Sequence, residues 1–332
     1  MNSKVFQAFQ YLLLLALGIL LCYAFFHTLD IEGLKAKLNH GNYSWFAVVM
    51  FVSLLVYVFR TLRWQMLIRS TGHQSKFINA FSALSISYLV SFVVPRLGEI
   101  TRCLSVKKQH DIPFMSLLGT VIIERVIDIL SLAILLLITA FVQFSQIMEF
   151  MKENVFHPFM KLIGGNILVL AVLLTLALGG LILFYAFRKK IVQRSPKFIL
   201  KFLEGLKEGL LSIANLKQKW LFIMYTLLIW IGYYLMTWFW FFVFPETSVL
   251  SAGACLSILA IGTVGRSVPI QGGGMGAYHF LVTGVVMLYG LSEEWGKTLA
   301  TLIHAGQTFF TFAMGIIGLL IFFGAYWKRK TD

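Results

Sequence analysis

The sequence predicts an all-α polytopic integral membrane protein with two inverted-topology repeats, each containing a broken or re-entrant helical hairpin. Of its 332 residues, 59% are hydrophobic and 13% are charged, whereas soluble domains are about half apolar and about a quarter charged. Apolar stretches of about 18 residues or more recur along the chain, and each is long enough to cross ~30 Å of hydrocarbon. This composition excludes a soluble globular protein.

Recurring apolar segments justify the helical assignment. They cover residues 9–29, 43–63, 77–94, 114–143, 166–187, 220–244, 252–268, 276–291 and 298–326. Basic residues cluster from Arg60 to Lys76, throughout 188–219 and at the C-terminal end. Because Lys and Arg accumulate on the cytoplasmic side of membrane proteins, we expect a multi-pass protein with both termini cytoplasmic. Residues 196–217 have the apolar periodicity of a helix lying on the membrane surface.

Two interruptions of the apolar pattern predict two hairpins. Between the first basic cluster and the next long apolar segment, the chain must enter and leave the membrane from the same side. Residues 77–112 are therefore expected to turn back at Pro95, and residues 252–291 are broken at Pro269 and the glycines that follow. Irregular backbone at membrane depth is tolerated only where protein or water surrounds it, so a cavity is expected near Pro95.

The two breaks share the pattern V-P-x-x-G and come at the same step of each half of the chain. This correspondence predicts one membrane domain made of two repeats, residues 1–163 and 164–332. In transporters built this way, the substrate site lies where the broken helices of the two repeats meet.

Charged residues directly follow the first break. Arg96 can present its planar guanidinium to a phosphate, and Glu99 and Arg102 are three residues apart and can form a pair on one helical turn. The alternative is a loop whose cations lie at the membrane interface and only set the topology. Because charges inside a bilayer are costly unless they are paired or used, we favour a substrate-binding role for Arg96, Glu99 and Arg102.

A second charged group, Glu124, Arg125 and Asp128, lies well inside a long apolar segment. Glu124 and Asp128 are four residues apart and share a helix face, and Arg125 is within reach of Asp128. These residues must face the interior of the protein. Their spacing is compatible with a static brace and equally with a gate for a charged head group.

The second break is rich in glycine and carries candidate substrate-binding residues. These are Arg266, Gln271, Gly272, Gly273, Gly276 and His279. Glycine allows a tight turn whose N–H groups can face an anion, although close helix packing also explains glycine-rich membrane segments. A lone histidine is commonly a core residue, and the polar stripe that contains His304 on the last segment is typical of hydrogen bonding between helices. No metal site or cofactor site is predicted.

Three motifs together resemble a known family. They are P-x-x-G-E-x-x-R from Pro95, E-R-x-x-D from Glu124 and P-x-x-G-G-x-x-G from Pro269. Their order and spacing resemble the flippase-like transmembrane domain of lysylphosphatidylglycerol synthases, as a stand-alone member without the C-terminal aminoacyltransferase domain. Two residues depart from the family's pattern. Gln271 stands where many relatives have a second proline, and His279 stands where many carry a glutamate.

The resemblance implies a protein of the cell inner (cytoplasmic) membrane. It would be a transporter that moves a phospholipid or a lipid-linked head group between leaflets, rather than an enzyme. The expected partners are membrane lipids, an anionic phospholipid or a polyprenyl phosphate, and a separate lipid-modifying enzyme, with no nucleic acid and no cofactor. The alternative is a membrane-embedded enzyme or accessory subunit in envelope-lipid or polyprenyl-linked glycan synthesis, with Glu99 or Asp128 as acid or base. A purely structural assembly role is the third hypothesis.

Overall fold

The computed structural model describes residues 30–151 and 218–331 of the chain. It also describes a few isolated positions, namely Leu20, Tyr23, Phe25, His27 and Leu216. The predicted segments 9–29 and 166–187 and the amphipathic pattern at 196–217 fall almost wholly outside the described residues. The predicted boundary between the repeats, after residue 163, and nearly all of the basic connection 188–219 also lie outside them.

The described part of the chain is helical and contains no strand. In chain order its helices are α1 (Ile31–Asn39), α2 (Ser44–Ser70), α3 (Phe77–Val93), α4 (Leu97–His110), α5 (Phe114–Val142), α6 (Phe144–Met151), α7 (Lys219–Phe241), α8 (Ala252–Ser267), α9 (Gln271–Gly274), α10 (Ala277–Leu288) and α11 (Glu293–Thr331).

Within these residues, three helices are long and apolar enough to cross a membrane: α2, α7 and the stretch Glu293–Gly324 of α11. Helices α3 and α8 are apolar but shorter. The predicted all-helical membrane architecture is therefore confirmed, while the inverted relation of the two halves stays a prediction.

Prolines end the first arm of each hairpin. Proline disfavours helical backbone in the residue before it and has no N–H to donate. Val94, before Pro95, accordingly has φ −126° and ψ 103°, and Val268, before Pro269, has φ −63° and ψ 126°. Each helix thus stops where the sequence predicts a break.

Both hairpins are closely packed. Helices α3 and α4 pack against each other across the turn at Pro95, and α8 packs against α10 beyond α9. A Cβ atom on Gly98 would lie only 1.9 Å from the carbonyl oxygen of Ser87, and one on Gly265 would lie 2.9 Å from the Cα atom of Tyr278. Glycine is therefore required at both crossings, because any larger side chain would push the arms apart.

Helices α2 and α7 pack along each other, and α11 packs against both α3 and α10. A large apolar core joins α2, α7, α8, α10 and α11 around Trp240, Ile258, Val282 and Ile303. A smaller core lies beneath the first hairpin and includes Trp64. Through α11, the last helix of the chain, both hairpins share one support.

One predicted boundary is wrong. The second apolar segment was expected to end at residue 63 and to be followed by a cytoplasmic basic loop, but α2 continues to Ser70 and both Arg60 and Arg63 are buried within it. Trp64, Leu67 and Ile68 are also buried. These apolar residues keep the helix packed beyond the arginines, and two carboxylates of α5 neutralise the arginine charges.

Candidate functional site

Four arginines and three carboxylates form one group between three helices, which we call the arginine cluster. Its members are Arg60 and Arg63 from α2, Glu99 and Arg102 from α4, and Glu124, Arg125 and Asp128 from α5. The four guanidinium groups exceed the three carboxylates by one positive charge.

Glu124 lies at the centre of the cluster and is completely buried. Its Oε1 atom lies 2.8 Å from Nη2 of Arg60 and 3.5 Å from Nη2 of Arg63. Its Oε2 atom lies 2.9 Å from Nη2 of Arg102. A buried carboxylate is tolerated only when opposite charges and hydrogen bonds compensate its lost hydration, and here α2 and α4 supply them to α5.

Asp128 lies one helical turn beyond Glu124 and faces the same arginines. Its two oxygens accept hydrogen bonds from Nη2 of Arg60 at 2.7 Å and from Nη2 of Arg63 at 2.6 Å. Nη1 of Arg125 is more distant, at 3.8 Å. The spacing of four residues therefore places both carboxylates on one face of α5, as the sequence predicts, and Arg60 bridges them.

Neighbouring side chains hold the arginines in place. The guanidinium of Arg102 lies 4.3 Å from the ring centroid of Trp64, whose Nε1 donates a hydrogen bond to Thr120. Nη1 of Arg60 donates a 2.7 Å hydrogen bond to the hydroxyl of Tyr233 on α7. The cluster thus connects α7 to the three helices that supply its charges.

The cluster has one partly exposed edge. Nε of Arg125 lies 3.0 Å from Oε1 of Glu99, and these side chains are 38% and 35% exposed. Glu99 was expected to pair with Arg102 on its own helix, but its ion pair reaches across to α5. Arg102 instead points inward to Glu124, so each residue of the expected pair has a partner on another helix.

The turn of the second hairpin depends on its glycines. Gly272, Gly273, Gly274 and Gly276 all have positive φ angles, between 66° and 84°. Residues with a side chain adopt this backbone only at a cost. A Cβ atom on Gly274 would also lie 2.6 Å from the carbonyl oxygen of Gly265. Here glycine is needed both for the backbone angles and for the close approach of the two arms.

The tips of the two hairpins meet at this turn, which we call the hairpin junction. A Cβ atom on Gly273 would lie 3.7 Å from the ring of Phe92 on α3 and 3.8 Å from Nε2 of His304 on α11. That same Nε2 atom hydrogen-bonds the carbonyl oxygen of Gly272 at 2.9 Å. His304 therefore joins the last helix to the second hairpin, a contact between helices of the kind expected from its polar stripe.

His279 is buried beside the junction. Its ring centroid lies 4.7 Å from that of His304 and 4.8 Å from that of Phe25, and its Nδ1 atom accepts a hydrogen bond from the N–H of Gly276 at 3.3 Å. Tyr278 also contacts both imidazoles. His279 thus belongs to a packed group of rings that supports the glycine turn.

The remaining candidates lie apart from the cluster. Arg266 is partly buried, with its guanidinium 4.2 Å from the ring centroid of Tyr278, and Gln271 is partly buried at the start of α9. Arg96 is exposed at the first hairpin turn, with a left-handed φ of 70°. Among the described residues, neither Arg96 nor Arg266 forms an ion pair. The substrate-binding roles of all three residues stay predictions.

The cluster and the junction are linked through α3. The ring centroid of Tyr88 lies 5.5 Å from Cζ of Arg60. Phe92, four residues later on α3, lies beside Gly273. Residues four apart share a helix face and are separated by about 6 Å along its axis. One face of α3 therefore contacts the arginine cluster and, one turn later, the hairpin junction.

Sequence reasoning missed Arg60, Arg63 and Tyr233 as parts of the site. A signal for the arginines was present, because they are three residues apart and no glycine or proline interrupts the chain until Gly72. An uninterrupted helix through these positions would have predicted that both arginines lie inside the protein and pair with acidic residues of another segment. No comparable pattern marks Tyr233.

The comparisons with known proteins agree on a membrane protein family. A UPF0104 membrane protein from Methanocaldococcus jannaschii is 26% identical over 133 residues, and the matched stretch spans 39% of this chain and 39% of that protein. No solved structure matches the chain. Residues 11–315 match the family described as the lysylphosphatidylglycerol synthase transmembrane region. The chain therefore belongs to the family of the lysylphosphatidylglycerol synthase transmembrane region.

Proposed function

We propose that this protein is a flippase-like transporter that moves an anionic phospholipid, or a lipid-linked head group, between the leaflets of the cell inner membrane. The observation that carries the proposal is the meeting of two broken helical hairpins. Phe92 on α3 lies beside Gly273 of the second hairpin. Tyr88, one turn earlier on α3, contacts Arg60 of the arginine cluster. Transporters bind substrates where broken helices meet.

The chemistry of this region suits a lipid phosphate. Guanidinium groups form charge-assisted, often bidentate hydrogen bonds with phosphate oxygens. Arg96 at the first turn and Arg266 near the second are cations that no carboxylate of the described chain neutralises, so both can attract a head group. The glycines at the junction let a head group approach the backbone closely.

Membership of the family supports a lipid as the substrate, because the family takes its description from an enzyme named for a phospholipid. We extend the proposal to the arrangement of the chain: one membrane domain of two inverted repeats, 1–163 and 164–332, with both termini in the cytoplasm. A separate lipid-modifying enzyme would supply or receive the transported lipid.

Reconstitution into liposomes tests the proposal. Vesicles with and without the protein would carry fluorescent phosphatidylglycerol or a fluorescent polyprenyl phosphate in both leaflets, and a membrane-impermeant quencher would report exchange. We expect the protein to accelerate exchange of at least one lipid and Arg96→Ala to slow it. Arg69→Gln, which removes an exposed cation from α2, is the matched control and should behave as the unaltered protein.

The same vesicles separate transport from enzymatic action. Mass spectrometry of the lipids after incubation would reveal a chemically altered product if Glu99 or Asp128 served as an acid or base. Exchange without any product supports transport. No exchange of either lipid, or exchange only with formation of a product, would refute the proposed function.

A further inference from the structure

The arginine cluster contains buried hydrogen-bond donors without acceptors. The Nε atoms of Arg60, Arg63 and Arg102 and the Nη1 atom of Arg102 are buried and have no hydrogen-bond partner. Arginine can only donate, so every one of these atoms requires an acceptor. Buried polar groups are otherwise almost always paired, and four such donors around one carboxylate indicate that an acceptor completes the group.

The cluster also lacks one negative charge. Its four arginines face three carboxylates, and Arg63 and Arg102 are at most 1% exposed. Water could satisfy the unpaired N–H groups, but it would leave the charge unbalanced. A group with a single negative charge and at least two acceptor oxygens corrects both deficits, and a phosphodiester is such a group. A phosphate monoester dianion would overcompensate the charge.

Arg102 is the donor best prepared for this ligand. Its Nη2 atom is held by Glu124 at 2.9 Å, and its guanidinium plane is supported by Trp64. The side chain is therefore fixed while its Nε and Nη1 atoms have no acceptor. Such preorganisation reduces the conformational entropy that binding a ligand would cost.

The exposed edge of the cluster offers the route of approach. Glu99 and Arg125 are each about one-third exposed, and although their charged atoms are 3.0 Å apart, Nε of Arg125 has no hydrogen bond with aligned geometry. A phosphate oxygen arriving at this edge can replace the Glu99 carboxylate beside Arg125. The buried donors of the same cluster that have no acceptor would then be available to the ligand.

We propose that the arginine cluster binds the monoanionic phosphodiester of a phospholipid head group, with Arg102 as the principal contact and the Glu99–Arg125 pair as its point of entry. This inference rests on the proposed function for its choice of a lipid, and it names the substrate class: phospholipids whose head group leaves the phosphate charge unneutralised. Free phosphate shares the chemistry, and the experiment distinguishes the two sources.

The test measures binding in neutral detergent micelles by native mass spectrometry, with a thermal unfolding shift as the second readout. The probes are short-chain phosphatidylglycerol, phosphatidylcholine of the same chain length and inorganic phosphate. We expect phosphatidylglycerol to bind at least tenfold more tightly than phosphatidylcholine, whose choline cancels the phosphate charge. Inorganic phosphate should compete with phosphatidylglycerol at high concentration.

Three variants assign the binding to Arg102. Arg102→Gln should weaken phosphatidylglycerol binding at least tenfold. That change leaves Glu124 short of a partner, so the double variant Arg102→Gln/Glu124→Gln serves as the second test. It keeps the excess of one positive charge in the cluster and removes the guanidinium of Arg102. Arg69→Gln should bind within twofold of the unaltered protein.

Equal binding of the two lipids, unweakened binding by the double variant, or binding of inorganic phosphate alone would each overturn the inference. Leaflet exchange measured in parallel separates it from the proposed function. Tight and selective lipid binding without exchange would refute transport and keep the site, whereas exchange with no selective binding would refute the site and keep transport.

Discussion

Replacing Glu124 with glutamine keeps the size of the side chain and removes the charge that Arg60, Arg63 and Arg102 share. The amide oxygen can still accept one hydrogen bond, but the excess positive charge of the cluster rises from one to two. Removing one partner of a buried ion pair costs about 3–5 kcal/mol. Because part of the hydrogen bonding survives, we expect Glu124→Gln to lower the free energy of unfolding by about 3 kcal/mol.

The measurement is unfolding in mixed micelles with increasing sodium dodecyl sulfate, followed by tryptophan fluorescence. Glu294→Gln is the matched control, because Glu294 also pairs with a cation, Lys37, at 2.8 Å but is 71% exposed. Exposed pairs contribute about 0.2–1 kcal/mol. If Glu124→Gln proved no more destabilising than Glu294→Gln, the burial argument for the arginine cluster would be wrong.

Three further predictions concern the hairpins. Gly98→Ala should lower the free energy of unfolding by about 1–3 kcal/mol, because overpacking forces the arms of the first hairpin apart. Gly119→Ala is the control and should be neutral or slightly stabilising in the same assay, because a Cβ atom there meets nothing within 4 Å. Gly273→Ala should lower the free energy of unfolding by about 1–2 kcal/mol, since its φ of 66° is left-handed, and leaflet exchange should slow. Hydrogen exchange should be faster at backbone amides of the second hairpin than at those of the first, and equal protection would contradict this.

Much of the helical plan could be predicted from local sequence. Apolar stretches place α3, α5, α7 and α8 within a few residues of their observed ends. Prolines mark where the first arm of each hairpin stops, because the effect of proline on the preceding residue is local. Features that depend on neighbouring residues alone were therefore predicted well.

Ion pairing within the site was predicted less well, because it depends on which helices become neighbours. Glu99 and Arg102 are adjacent on one turn, and the local rule pairs them, yet the packing of α4 against α5 gives each a different partner. The rule that basic residues mark the cytoplasm placed Arg60 in a loop, whereas it is buried within α2 beside carboxylates of α5. A cation followed by further helix can be neutralised in the interior, and only the tertiary fold reveals its carboxylate.

The two hairpins are held by different forces, and this difference bears on how a transporter could move. Ion pairs of Arg102 and Glu99 fix the first hairpin to α5. Among the described residues, no ion pair holds the second hairpin, whose turn is held by the hydrogen bond of His304 and by packed rings. Separating buried opposite charges costs more than breaking one hydrogen bond. If lipid transport requires one hairpin to move, the second can therefore move against a first hairpin that stays fixed beside the arginine cluster.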